Sequence, residues 1–347
     1  MKFKKRHLCE LPHCYAVTDI EIDGKKKYVF ATDDDGPCYC IDSETSEIET
    51  VWEGPGGTMS LIPLPGKNGA FLASQRFFPG FNAPDCEIVL LRYEDGKWTN
   101  EPWLKMPYVH RFDILERGGA YYLLCCTLAE SKKDEQDWSK PGGLFVAELS
   151  PDFSAPAPTQ LRMIANGMTR NHGYCRLEHA DYTYALTACD EGVFEVVPPE
   201  SRDGEWSVRR ILDKMVSDIA VCDIDGDGIL ELATIEPFHG SDFVVYHKTE
   251  NGYEEIYRYP DKMAFVHVVW GGLLRGVPVF LGGCRAINKE MFVLSVNNGE
   301  LTAEIIESGM GPSNVKVISA EDRDLLLTAN REAGECGVFE VTDGSVK

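Results

Sequence analysis

The sequence predicts an all-β protein, a seven-bladed β-propeller whose last blade is closed by the N-terminal strand. Three observations carry that prediction. Apolar residues alternate over short, β-branched runs, and no long segment has a helical period. Turn signals recur throughout, as DGK, PGKNG, RGG, DGDG and NNG. A coarser repeat of about 50 residues, a propeller spacing, orders the strands into like units.

Each unit opens with a short strand, and a very apolar second strand, a third and a weaker fourth follow. Residues 13–54 carry YAVTDIEI, KYVFATD and PCYCID; residues 57–104 carry TMSLIPL, AFLASQR and EIVLLRY. Residues 108–165 carry HRFDIL, YYLLCCTL and GLFVAEL, with the polar stretch SKKDEQDWSKPGG (131–143) reading as a surface loop or, alternatively, a lid. Residues 171–212 carry HGYCRL, TYALTACD and GVFEVV; residues 216–259 carry DIAVCDI, LELATIE and FVVYH. Residues 264–307 carry HVVWGG, PVFLGGCR and MFVLSV; residues 312–347 carry NVKVIS, LLLTANR and CGVFEV. The last unit lacks a fourth strand, and FKKRHLCEL, around residues 2–10, precedes the first unit without a partner. Three-plus-one closure follows, with an open sandwich as the alternative. No shift in composition marks a boundary, so 1–347 reads as one domain.

The 56 acidic residues outnumber 34 basic ones, for a net charge of −22. Phosphate backbones require clustered Lys and Arg, so a nucleic-acid partner is not expected. A small anionic ligand is still compatible, because a few arginines dominate a pocket. The acidity otherwise reads as solubility. No apolar run approaches the roughly 18 residues of a membrane span. MKFKKRHLCELPH lacks the apolar centre of a signal peptide, so a cytoplasmic location is expected. The twelve cysteines then read as reduced thiols, several of them small apolar residues in strands. Cys125 and Cys126 should face opposite sides of one strand.

Propeller geometry sorts the candidate residues onto two faces. Asp223, Asp225 and Asp227 lie in the turn between the first two strands of blade five, with Glu231 shortly after. Alternating oxygens on a Gly-rich turn suit Ca²⁺, with the Ile229 carbonyl as a further ligand and a structural role; a metal-free turn is the alternative. Glu236 and His239 follow the second strand and belong to the opposite face. There, at the heads of the innermost strands, stand Tyr15, Thr58 or Met59, His110, His172, Asp218, His267 and Asn314. Three of these are histidine in a chain with only eight. Gln75, Arg76, Arg285 and Arg331 end second strands on the same face, and Phe77, Phe78, Phe81, Phe238 and Trp270 are candidate walls.

Three histidines can hold Zn²⁺ or Mn²⁺ with open positions for substrate. Such an ion polarises a carbonyl or carboxylate and acidifies the adjacent C–H. His110, His172 and His267 are therefore expected as metal ligands or acid/base groups, with Glu236 or His239 assisting. Gln75, Arg76, Arg285, Arg331, Asn314 and Trp270 would bind substrate, the arginines stabilising an enolate-like species. This is the recipe for β-elimination or dehydration of a keto-sugar or uronate-like carbohydrate, a carbon–oxygen lyase. GxSxG, dinucleotide and P-loop motifs are absent.

The stretch DIDGDGILEL resembles the FG-GAP or VCBS propeller repeat, although the equivalent turns of the other six blades lack its acidic residues. The stretch ELATIEPFHGSDFVVYH looks like the propeller domain of aldos-2-ulose dehydratase-type sugar lyases, and that likeness is strongest over 108–303. It implies a histidine-lined, metal-associated pocket. That family also carries cupin-like C-terminal domains, for which this chain has no room, so its full activity is not carried over. Oligogalacturonate lyase is a looser analogue. A second reading is a non-catalytic propeller that binds a protein or glycan; a hydrolase or isomerase in the same pocket is a third. Histidines pointing at one another favour catalysis, and histidines bonded separately to backbone carbonyls favour the platform.

Overall fold

The computed structural model describes residues 1–153, 157–158, 160–202 and 204–343, which leaves the last four residues of the predicted seventh repeat outside. Its regular elements are 28 β-strands, from Lys2–Glu10 to Glu335–Thr342. Among the described residues no helix is long and apolar enough to cross a membrane. The strands form five four-stranded sheets and one eight-stranded sheet made of two four-stranded arrays. Contacts divide the residues into two compact units, Thr18–Ser217 and Met1–Val17 with Asp218–Lys347.

In Thr18–Ser217, the strands Leu61–Pro63, Ala70–Gln75, Glu87–Glu94 and Lys97–Lys105 pair in chain order, as the second repeat predicts. The third and fourth repeats are joined where Arg117 pairs with Tyr182, and the Arg117 guanidinium covers the Tyr182 ring at 4.5 Å. Second strands are buried on both faces. Ala120–Thr127, which includes Cys125 and Cys126, is almost wholly inaccessible. Fourth strands are edges, and Lys97–Lys105 is largely exposed. The stretch 131–143 is a loop up to the short strand start at Gly142, and it is tied by its own polar groups: Lys133 N–H donates to Asp137 and the Lys132 ammonium to the Glu135 carbonyl.

In the other unit, two sheets run in chain order from Asp218–Cys222 to Gly252–Arg258 and from Ala264–Leu274 to Glu300–Glu307. The third is the predicted three-plus-one sheet. Lys2–Glu10 lies antiparallel to Glu335–Thr342, from Lys2↔Thr342 to Glu10↔Glu335. The Lys5 ammonium bridges Glu335 of that sheet (2.8 Å) and Glu307 at the end of Glu300–Glu307 (2.9 Å). Fully buried Phe243, Phe280 and Phe292 centre the adjoining core, each contributing about 1.5–3 kcal/mol by burial. Gly282 makes room for them, since a Cβ there would lie 2.2 Å from the Phe292 ring.

Candidate functional site

The innermost strands present their first side chains through a repeated backbone device. A residue of positive φ stands two positions before the head: His13 before Tyr15, Gly57 before Met59, Tyr108 before His110, Arg170 before His172, Phe265 before His267 and Gly311 before Ser313. Four of these are not glycine, a conformation that costs each about 1 kcal/mol or more and persists only where packing enforces it. His110 and His267 are also the extra residues of β-bulges, because pairing steps from Val109 to Arg111 and from Val266 to Val268 against single steps on the partner strands. A bulge re-aims a side chain that regular pairing would point elsewhere. The register places Ser313, not Asn314, at the position of His172: each donates its N–H to a second-strand carbonyl just before pairing begins, His172 to Ala188 and Ser313 to Ala329.

In the unit containing His267, that ring is held at both nitrogens. Nδ1 lies 2.7 Å from the Ser313 carbonyl, which can only accept, so Nδ1 carries the proton. In the neutral ring Nε2 is therefore the acceptor, and the Tyr15 hydroxyl lies 3.2 Å from it. Asn314 does not face a ligand with its amide; Nδ2 donates to the Tyr15 carbonyl at 2.8 Å and fixes that backbone. His239 stacks on Phe238 at 4.2 Å, meets Phe265 edge-on at 4.5 Å and stands 5.3 Å from the His267 ring. Arg285 covers Phe265 at 4.3 Å and bonds Glu332 through Nε and Nη2. Arg331 reaches the same Glu332 carboxylate and His13. Two guanidiniums thus converge on one carboxylate. Burial opposes ionisation of Glu332 most strongly, but Arg285 and Arg331 together hold its pKa below the ordinary value.

The other unit brings His110 and His172 together, ring centroids 4.1 Å apart, with Phe77 edge-on to His110 at 5.3 Å. His172 Nδ1 donates to the Ser217 carbonyl at 3.0 Å, the arrangement seen at His267. Arg170 grips Asp190 through Nε and Nη2, and burial raises the Asp190 pKa against that guanidinium. Within one unit His110 stands with His172, and within the other His267 stands with His239.

Several expected contacts are placed differently. Arg76 is half exposed and pairs with Glu87, since positive φ at Arg76 turns the chain out of the strand. Gln75, at the strand end, is buried. Trp270 lies mid-strand and packs against the core around Leu281 and Phe339, where it fills the space beside Gly272 rather than lining a pocket. Glu236 is held within its own sheet, accepting from Thr234 and Tyr246, both at 2.8 Å.

The acidic turn stands at the opposite end of strand Glu231–Glu236 from His239, so the two features are separate sites. Gly226 and Gly228 supply its positive φ. Asp225, Asp227, Glu231 and His247 each offer an atom within 4.8 Å of the others. Asp223, whose Oδ2 accepts the Gly228 N–H, lies outside that group. His247 takes its place: it stands beside Glu231 in the antiparallel register, Nδ1 2.7 Å from Glu231 Oε1, and that carboxylate raises the His247 pKa. Three carboxylates fit a cation, but an imidazole donor moves the preference from Ca²⁺ toward Mn²⁺ or Zn²⁺.

No protein-family model matches the sequence, and no characterised protein matches it at sequence level. Solved structures do match in fold. The Cps50 (Swd1) β-propeller domain of Myceliophteria thermophila aligns with a TM-score of 0.59 at 12% identity, over 98% of this chain and 100% of that one. Sqt1 of Saccharomyces cerevisiae aligns with a TM-score of 0.56 at 8% identity, over 99% of each. The soluble aldose sugar dehydrogenase of Escherichia coli aligns with a TM-score of 0.50 at 12% identity, over 98% and 99%. The chain has a β-propeller fold, and identities this low carry the fold alone.

Proposed function

We propose that this propeller is a carbohydrate-active carbon–oxygen lyase that eliminates or dehydrates a keto-sugar or uronate-like substrate. The observation that carries the reading is the Tyr15–His267 pair, a buried hydroxyl on an imidazole whose tautomer is fixed by the Ser313 carbonyl. His267 Nε2 takes the proton from the carbon next to the carbonyl or carboxylate. The C–O bond at the β-carbon then breaks, and the oxygen leaves as water or alcohol with a proton from Tyr15 or His239. Arg285 and Arg331, as guanidinium donors, hold the substrate's anionic oxygen. The ligand role expected for His110, His172 and His267 is the alternative use of these rings, since an Nε2 that held Zn²⁺ or Mn²⁺ could not also take a proton; His239 would then be the base. A bound ion would supply Lewis-acid polarisation of the substrate carbonyl. The sugar-lyase and FG-GAP or VCBS resemblance supports this reading.

The carbonyl bonds of His172 and His267 do not decide between catalysis and a platform, because each ring has a second nitrogen. Their near-complete burial does favour the platform reading, in which the rim binds a protein or glycan. The test is metal analysis of the purified protein beside the His110→Ala, His172→Ala, His267→Ala triple variant, followed by a screen of keto-sugars and uronates for unsaturated products. About one transition-metal ion lost in the variant, together with elimination by the wild type, supports the lyase. Absence of both after reconstitution overturns it in favour of the platform.

A further inference from the structure

Three thiols meet where the first strand joins the last. Cys9 lies directly across from Cys336 in the pairing of Lys2–Glu10 with Glu335–Thr342. Cys14 Sγ is 3.7 Å from Cys336 Sγ. Cys14 and Cys336 are buried, whereas Cys9 is only half-buried, so solvent and small oxidants reach Cys9 first. The contact with Cys336 also pulls the Cys9 thiol below its ordinary pKa, against burial and the Glu10 carboxylate. Exposure and thiolate character together select the cysteine that oxidises. Opposed residues of antiparallel strands have Cα atoms about 4.5–5.5 Å apart, inside the range of about 4.4–6.8 Å that disulfides span.

We propose that Cys9 and Cys336 are an oxidation site, forming a cross-strand disulfide that staples the first strand to the last when a hydroperoxide is present. The Cys9 thiolate attacks the peroxide: an S–O bond forms, the O–O bond breaks, and the departing oxygen takes a proton to leave as water or alcohol. The Cys336 sulfur then attacks the Cys9 sulfenic acid, the S–S bond forms, and hydroxide leaves as water with the Cys336 proton. Two thiols lose two electrons, and one peroxide is reduced. Cys14 is the rival partner, and full burial keeps it from the first step.

The test uses the full chain, reduced and freed of reductant, treated with one equivalent of hydrogen peroxide, alkylated and digested with trypsin and a glutamyl protease. Cleavage after Glu10 separates Cys9 from Cys14, so the connectivity is read directly by mass spectrometry. The expected result is a Cys9–Cys336 linked pair, kept in Cys14→Ser and lost in Cys9→Ser. Closing a loop this long should raise the thermal midpoint by several degrees on oxidation. A bond found only between Cys14 and Cys336, Cys9 over-oxidised beside a Cys336 thiol, or no linked product at all overturns the site. A linked product with an unchanged midpoint overturns the staple.

Discussion

Arg285 holds Glu332 with two nitrogens of one guanidinium, Nε at 3.0 Å and Nη2 at 2.8 Å from the same carboxylate oxygen. Arg331 adds a third contact at 3.1 Å. Because the folded protein depresses the Glu332 pKa, its ionised form is favoured by folding. That contribution is fully present above the unfolded value and is lost as pH falls through the folded one. Thermal midpoints measured from neutral to acid pH should fall more steeply below about pH 4.5 in the wild type than in Glu332→Gln. Parallel curves would show that the pair contributes nothing.

Removing the Tyr15 hydroxyl separates chemistry from packing. Tyr15→Phe keeps the ring that meets His267 edge-on at 5.2 Å and loses only the bond to Nε2. Stability should drop by about 1 kcal/mol. Elimination turnover, on a substrate that the wild type accepts, should fall about 10²–10⁴-fold with little change in KM. An unaltered turnover would assign Tyr15 a packing role.

The acidic turn predicts a division between Asp223 and the more distant His247. His247→Ala should weaken Mn²⁺ or Zn²⁺ binding by about 10–100-fold. Asp223→Ala should weaken it less while loosening the turn, because Asp223 lies outside the group of mutually close donor atoms and accepts from the Gly228 N–H. Calorimetric titration of both variants with Mn²⁺, Zn²⁺ and Ca²⁺ checks this. Equal losses in the two variants would restore the donor set expected from spacing alone.

Deleting residues 1–10 removes the partner of Glu335–Thr342 and bares its edge. The truncated chain should unfold at least about 5 °C lower and self-associate through the open strand. Size-exclusion chromatography and thermal melts of the two chains decide it, and an unchanged monomer would mean that Lys2–Glu10 is dispensable.

The strands were legible because second strands such as AYYLLCCT are buried on both faces and leave a continuous apolar run. The closing strand was legible as a missing fourth partner. The site was legible only in part. His110, His172 and His267 stand out at strand heads, but the bulges that re-aim His110 and His267 depend on pairing across strands. The equivalence of Ser313 rather than Asn314 with His172 also shows only in the pairing, where Asn314 and Gly173 are the first paired residues. His247 carries no signal of its own in the sequence; the antiparallel run of Glu231–Glu236 with Asp242–Thr249 brings it to Glu231. Charges were the least legible: Arg76, Arg285 and Arg331 take Glu87 and Glu332, residues that no motif marks.

The pairing of Lys2–Glu10 with Glu335–Thr342 sets a timetable for biosynthesis. Among the described strands Lys2–Glu10 is synthesised first, yet its partner Glu335–Thr342 follows all the others. At roughly 5–20 residues per second it waits on the order of tens of seconds. Through that interval the other blades can build while one ribbon stays unmatched, and the charges of KFKKRHLCE, four basic residues and one terminal glutamate, keep it from pairing with a neighbouring nascent chain.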